Sequence, residues 1–185
     1  ASLRAIPNLT VIRPADPTEV KAAWATAVSK GSPVALILSR QKVPVLEGAS
    51  FEGAQKGAYI LKKESKESLD LLIIATGSEL GLALEVAEEK EKEGLSVRVV
   101  SMPSWELFEE QSNAYQEDIL GKATHRMSIE AQSSLGWHKY VGREGLVISV
   151  DTFGKSAPLS DLQSYFKLTK DHVLSRLNAT VSAVK

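Results

Sequence analysis

The sequence predicts an α/β protein with a three-layer α/β/α domain at residues 47–185, built on a mostly parallel five-stranded sheet. A strand-helix-strand arm at residues 1–46 precedes it and belongs to a truncated α/β domain. Two observations predict this fold. Strand and helix signals alternate from end to end of the 185 residues, and a segment with one proline and three glycines, residues 41–57, interrupts the alternation.

The arm begins with a β-rich run at residues 9–13, followed by turn residues and a helical pattern. The i, i+3, i+4, i+7, i+8 spacing of apolar residues predicts a helix with one buried face, formed by Val20, Ala23, Trp24, Ala27 and Val28. Gly31 and Pro33 end that helix, and residues 34–38 form a second strand. We expect the two strands to be parallel, joined by a right-handed crossover, with Trp24 in the core.

Residues 41–57 show no sustained periodicity, which indicates a surface linker. After the linker, five runs read as strands: AYILKK, LDLLIIAT, SVRVVSM, RMSIEA and LVISVDT. Between and after them lie helical segments: GSELGLALEVAEEKEKEG, the mixed helix and turn WELFEEQSNAYQEDILGK, LSDLQSYF and KDHVLSRLNATVSAV. This order is typical of a mostly parallel sheet covered by helices on both faces.

Composition excludes several function classes. The formal net charge is −1, from 22 Lys and Arg against 23 Asp and Glu, so no overall field attracts nucleic acid or an anionic membrane. The chain has no cysteine and therefore no disulfide or thiolate site. Apolar runs such as residues 71–75 are far shorter than a bilayer span, and residues 1–9 lack the apolar core of a signal peptide. We expect a cytoplasmic protein.

Two glycine-containing loops resemble phosphate-binding loops only weakly. In IATGSELG a strand runs through Gly77 into a helix, but the three-glycine dinucleotide pattern is absent. Thr76 and Glu79 have the spacing of a capping box, which we favour over an anion site. The segment DTFGKSAP has Ser149 where a P-loop needs glycine, so we expect Ser156 and Pro158 to start the following helix instead.

Other chemically interesting side chains are isolated in the sequence. His125, His138 and His172 lack the spacing of metal ligands, and we expect no metal site from them. Glu130 follows a strand without an identifiable acid-base partner. Trp105 and Trp137 lie near strand ends, where they are candidates for a contact surface.

Arg40 is the candidate site residue. It follows the second strand of the arm, and ligands of open α/β sheets collect beyond the carboxyl ends of the strands. A guanidinium presents two parallel N–H donors that match two phosphate oxygens. The alternative is a structural ion pair with a nearby carboxylate such as Asp16 or Glu19. The residues alone leave these two roles equally supported.

A family resemblance favours the ligand role. Eight motifs occur in the order in which transketolases carry them and cover essentially the whole chain: RPAD, ALILSRQ, GAYIL, IATGSEL, VRVVSMPS, SIEA, KYVG and TFGKSAP. The resemblance implies that residues 1–46 are the end of a pyrimidine-binding domain and residues 47–185 a transketolase-like C-terminal domain. It also matches Arg40 to the arginine that binds the sugar phosphate.

The resemblance further implies the function. Transketolases transfer a two-carbon ketol unit from a ketose phosphate to an aldose phosphate, using thiamine diphosphate and a divalent metal, Mg or Ca. They act in the pentose phosphate pathway as homodimers. The Gly-Asp-Gly motif that binds metal and diphosphate is absent here, as are the glutamate that activates the cofactor and the histidines around the substrate. We therefore expect this segment alone to bind no cofactor and to be inactive.

Two alternatives stay open from the sequence. The first is a non-catalytic regulatory or dimer-interaction domain whose TGSE loop binds a small anion or a nucleotide. The second is the C-terminal part of a related thiamine enzyme, such as a deoxyxylulose-phosphate synthase or a 2-oxoacid dehydrogenase component. The motifs ALILSRQ and TFGKSAP favour transketolase among these enzymes.

Overall fold

Seven strands and eight helices make up the part of the chain that the computed structural model describes, residues 1–182, with side-chain surroundings through residue 180. The strands are β1 (Thr10–Ile12), β2 (Val34–Leu36), β3 (Tyr59–Lys62), β4 (Leu71–Ala75), β5 (Val97–Ser101), β6 (His125–Ile129) and β7 (Leu146–Ile148). The helices are α1 (Pro17–Ser29), α2 (Phe51–Gln55), α3 (Leu80–Lys92), α4 (Trp105–Glu109), α5 (Asn113–Leu120), α6 (His138–Val141), α7 (Leu159–Tyr165) and α8 (Lys170–Ser182). Short 3-10 turns lie at Leu3–Ala5 and Gly77–Glu79.

The strands form two sheets. In the arm, β1 and β2 pair in parallel and are connected by α1, as predicted. The second sheet has the order β3-β5-β4-β6-β7. All of its pairs are parallel except that of β3 with β5, which confirms the mostly parallel five-stranded sheet.

Alternate residues of β4 divide the core into two clusters, one on each face of the sheet. Leu71, Ile73 and Ala75 pack on one face beneath α3 and α8. Leu72 and Ile74 pack on the other face against residues of α4, α5 and α6. Since both faces are covered, the strands carry continuous apolar runs, which is why β4 was recognisable in the sequence.

The arm shares this core. Ala15 and Ala22 belong to the cluster beneath α3, and Ile12 and Ala23 pack against Leu107 of α4. The small side chains of Ala22 and Ala23 allow α1 to approach the C-terminal domain closely.

Three predictions of local structure were wrong. Trp24 is 55% exposed, because α1 buries Glu19, Ala22, Ala23 and Thr26 instead of its most apolar stripe. The predicted linker contains α2, whose first turn is capped by the Ser50 hydroxyl. The N-cap of α7 is Pro158, without a side-chain cap, so Ser156 does not start that helix.

The predicted C-terminal helix begins as α8, and its final residues 183 and 184 lie outside the described residues. None of the helices in residues 1–182 has both the length and the apolar character needed to cross a bilayer.

Candidate functional site

Arg40 lies four residues beyond the end of β2, in a loop without regular secondary structure. The first loop residue continues the strand pairing, since the Ile37 N–H donates to the Ile12 carbonyl at 2.9 Å. Arg40 is exposed, and its guanidinium forms no hydrogen bond or ion pair with any described residue. The predicted site residue therefore points its donors to solvent at the carboxyl end of a parallel strand.

The two acids considered as structural partners of Arg40 are engaged elsewhere. Asp16 is 1% exposed and caps α1, with Oδ1 accepting from the Glu19 N–H at 2.9 Å. Its other oxygen, Oδ2, accepts from the Leu46 N–H at 3.2 Å. Glu19 accepts hydrogen bonds from the hydroxyls of Tyr59 in β3 and Ser101 in β5. The structure thus contradicts an Arg40 ion pair with either acid.

Glu19 is a buried carboxylate between the arm and the C-terminal domain. Oε2 accepts from the Ala15 N–H at 2.7 Å, and Oε1 accepts from the Tyr59 hydroxyl at 2.8 Å and the Ser101 hydroxyl at 2.5 Å. Burial raises the pKa of Glu19, since these hydrogen bonds offset only part of the desolvation. Burial, together with the Glu19 charge, also raises the pKa of Tyr59.

The five-stranded sheet has its own candidate crevice. The chain passes from β4 to β5 on one side and then returns to β6 on the other side of β4. Such a reversal of strand order opens a crevice beyond the carboxyl ends of the two strands, where doubly wound proteins bind ligands. Here the crevice lies between Thr76, after β4, and Glu130, after β6.

Two arginines of the arm fill this crevice. Arg13 lies 2.5 Å from Glu79 Oε2 and 3.6 Å from Glu130 Oε1, and its Nη1 donates to the Thr76 carbonyl at 3.1 Å. Arg4 donates to both oxygens of Glu130, each at 2.9 Å. Glu130 is fully buried and also accepts from the Trp137 indole at 2.7 Å. Each buried charge therefore has an opposite charge and hydrogen bonds, as burial of ions requires.

The arginines also explain why the predicted capping box does not form. The Thr76 hydroxyl donates to the Arg13 carbonyl at 3.2 Å, and Glu79 pairs with Arg13 and accepts from the Ala131 N–H. Gly77 has a φ of +63°, and a Cβ there would lie 2.9 Å from the Arg13 guanidinium carbon. Since the side chains of this loop are occupied by Arg13, the geometry does not support a nucleotide or anion site there.

The tryptophans contribute to the same junction. Trp137 is fully buried, with its ring centroid 5.0 Å from that of Trp105 in an edge-to-face arrangement. The Arg4 guanidinium carbon lies 4.0 Å from the Trp105 ring centroid, within the range of a cation–π contact. The predicted contact surface of Trp105 and Trp137 therefore exists, but it faces the arm of the same chain.

The described residues contain no group of three or more His, Cys, Asp or Glu side chains that could hold a metal ion. Sequence reasoning missed Arg4 and Arg13. Arg13 carried a usable signal, because it follows a strand in the same way as Arg40. Arg4 lies in the short 3-10 turn before β1 and carried no such signal.

Fold and site together define an α/β protein in which a three-layer unit is joined by buried ion pairs to a strand-helix-strand arm. Two family models identify these parts. Residues 1–45 match the transketolase pyrimidine-binding domain, and residues 57–169 match the transketolase-like C-terminal domain. The chain belongs to the transketolase family.

Individual relatives agree with the family models. The transketolase of Halalkalibacterium halodurans is 51% identical over 184 residues, which cover 97% of this chain and 28% of that protein. The structure of a Leishmania mexicana transketolase superposes with a TM-score of 0.90 and 40% identity, covering 98% of this chain and 26% of that one. The chain thus spans about a quarter of these relatives' length.

A shorter relative has also been solved. A split-gene transketolase, described as an inactive β4 tetramer, matches with a TM-score of 0.75 and 26% identity. The match covers 97% of this chain and 60% of that one.

Proposed function

We propose that this chain is the C-terminal part of a transketolase in which Arg40 binds the phosphate of the sugar substrate. The complete enzyme transfers a two-carbon ketol unit from a ketose phosphate to an aldose phosphate with thiamine diphosphate. In this proposal, residues 1–46 complete a pyrimidine-binding domain and residues 47–185 form the C-terminal domain. The enzyme acts as a cytoplasmic homodimer in the pentose phosphate pathway.

One observation carries the role of Arg40. Its guanidinium is exposed beyond a parallel strand, and no described carboxylate competes for its donors. A phosphate dianion would accept two parallel N–H bonds from such a group. Binding energy from this remote end of the substrate holds the reacting carbonyl in place and so contributes to catalysis.

The residues that the structure describes do not fit the cofactor or its metal. The described residues include no cluster of carboxylates or histidines for a magnesium or calcium ion. The crevice of the five-stranded sheet, the other place where a diphosphate would be expected, contains Glu79 and Glu130 with their arginines. We therefore assign thiamine diphosphate and the metal to parts of the enzyme outside this sequence, and we expect the segment alone to be inactive.

Kinetics of Arg40 variants test the proposal in a complete transketolase carrying this segment. A suitable enzyme is that of H. halodurans with its matching 28% replaced by this chain. We expect Arg40→Ala to raise KM for a ketose phosphate about 10- to 150-fold, the equivalent of a charge-assisted hydrogen bond. The KM for the same ketose without its phosphate should change little.

Arg40→Lys serves as the matched variant. Lysine keeps the charge but lacks the planar pair of donors, so it should restore only part of the affinity for the phosphorylated sugar. Equal effects of Arg40→Ala on both sugars would contradict a phosphate-binding role and favour a structural one. The mass of the polypeptide as its host makes it would separately distinguish a split-gene subunit of about 20 kDa, the mass of this segment, from a longer enzyme.

A further inference from the structure

The loop that carries Arg40, residues 37–46, is fastened at two points. At its start, the Ile37 N–H donates to the Ile12 carbonyl of β1 at 2.9 Å. At its end, the Leu46 N–H donates to Asp16 Oδ2 at 3.2 Å. Between these points, no backbone N–H of residues 38–45 donates to another described residue.

Both fastening points lead back to the connection between β1 and α1. Asp16 lies four residues after Ile12 and is itself immobilised, because it is 1% exposed and its Oδ1 caps α1. Leu46 is also held on its other side, where its side chain packs against the core beneath α3. Asp16 therefore connects the helix of the arm to the chain entering the C-terminal domain.

Arg40 depends on this arrangement because its side chain has no fixed partner among the described residues. The backbone of the loop therefore sets the position of its Cα and, with it, the region that the guanidinium can reach. We propose that Asp16 is a positioning residue for substrate phosphate binding, holding the Arg40 loop through the hydrogen bond from Leu46. This inference rests on the proposed phosphate-binding role of Arg40.

The chemistry of the site requires a carboxylate. Two backbone N–H groups, those of Glu19 and Leu46, each donate to a different oxygen of Asp16. An asparagine has a single acceptor oxygen, and its amide group would face the second N–H donor to donor. Asp16→Asn therefore preserves the volume of the side chain while it removes one of the two hydrogen bonds.

Limited trypsin digestion of the 185-residue chain tests the structural half of this inference without reference to any substrate. Arg40 and Lys42 are the cleavage sites within the loop. Asp16→Asn should speed cleavage there about fivefold, the effect of losing one ordinary hydrogen bond. Asp151→Asn is the matched control, because Asp151 accepts from the Ser134 N–H at 2.7 Å in a distant loop and should leave this cleavage unchanged.

A second variant separates the hydrogen bond to Leu46 from the N-cap of α1. Asp16→Ser keeps a cap for α1, but its shorter side chain should not reach Leu46, so it should speed cleavage in the loop while the helix is retained. If both Asp16 variants are cleaved at the rate of the unaltered chain, the inference is overturned and the role of Arg40 is untouched.

A double-mutant cycle in the complete enzyme tests the functional half. Asp16→Asn should raise KM for the ketose phosphate with kcat and the KM for the unphosphorylated sugar nearly unchanged. In an Arg40→Ala background it should add nothing, because the two residues would act through one contact. Additive effects would show that Asp16 acts independently of Arg40, whereas an Arg40→Ala enzyme with unaltered KM for the phosphorylated sugar would overturn both proposals.

Discussion

The two sheets of this protein treat their carboxyl edges in opposite ways. Beyond the five-stranded sheet, the crevice between β4 and β6 is filled by Arg13 and Arg4, which pair with Glu79 and Glu130. Beyond the two-stranded sheet of the arm, Arg40 has no described partner and faces solvent. Arginines at the carboxyl edge of a sheet are therefore neutralised by buried carboxylates in one region and left without a described partner in the other.

The difference between the two edges shows that the strand order gives the place of a crevice, while the carboxylates around it decide whether an arginine there is paired. At the filled crevice, the buried carboxylates of Glu79 and Glu130 pair with arginines from the arm. At the open edge, the two acids considered as structural partners of Arg40, Asp16 and Glu19, are occupied with backbone and hydroxyl donors. Neither acid therefore takes up the donors of Arg40.

The same substitution in the two regions gives the largest expected contrast. Arg13→Gln removes the cation paired with Glu79 and one of the two cations beside the buried Glu130, which should lower the free energy of unfolding by about 3 to 5 kcal/mol. Arg40→Gln should change it by less than about 0.5 kcal/mol, as for other exposed residues. Urea unfolding of the 185-residue chain measures both, and equal losses would remove the distinction between the regions.

Gly77 tests how closely Arg13 packs into the crevice. Gly77→Ala places a Cβ at a φ of +63° and 2.9 Å from the Arg13 guanidinium carbon, so it should cost about 1 to 3 kcal/mol. Gly81→Ala is the control, because a Cβ there contacts nothing within 4 Å and the residue lies in α3. That change should stabilise the protein by about 0.5 to 1 kcal/mol, measured by thermal or urea unfolding. Equal decreases in the free energy of unfolding for the two variants would contradict a close contact between Arg13 and Gly77.

Glu19 should give the arm junction a pH dependence. Burial raises its pKa in the folded protein above the ordinary value of 4.5, so its protonated form is favoured by folding. Its contribution to stability is complete below about 4.5 and is lost as the pH rises through the folded pKa. Glu19→Gln is neutral at every pH because an amide does not ionise. Its amide can still accept from the Ala15 N–H and donate to the hydroxyl of Tyr59 or Ser101. It should flatten this decline in unfolding curves recorded from pH 4 upward, and an unchanged pH profile would contradict the assignment.

The smallest expected effect on stability comes from the outer surface of the arm. Trp24 and Val28 are 55% and 83% exposed and lie one turn apart on α1. Exposed apolar neighbours favour association, so the chain should self-associate in sedimentation velocity experiments. Trp24→Gln should reduce this association and change the free energy of unfolding by less than about 0.5 kcal/mol. An unaltered distribution of sedimentation coefficients would exclude this surface as the contact.

Much of the fold could be predicted because it depends on local patterns. The runs at residues 71–75 and 97–101 are apolar throughout, which is how strands buried on both faces appear in a sequence. The inward face of α1 could not be predicted in the same way. Its most apolar stripe, with Trp24, is exposed, because the close approach of the C-terminal domain selects the small residues Ala22 and Ala23.

The candidate site divides along the same line. Arg40 was recognisable because it follows a strand and lies in a motif typical of the family, both of which are readable over a few residues. The partners of Thr76 and Glu79 could not be predicted, because a capping box is inferred from residue spacing alone. The competing partner, Arg13, lies 63 residues before Thr76 in the chain and meets it only after folding.

By itself, the sequence determined the order of the strands, the mostly parallel character of the sheet and the family, since hydrophobic periodicity, turn residues and motifs act over short distances. Only the tertiary structure decided which arginine is neutralised and which is left with free donors. Pairing of charges depends on a few ångströms between residues far apart in the chain, and packing of the arm against the C-terminal sheet fixes those distances.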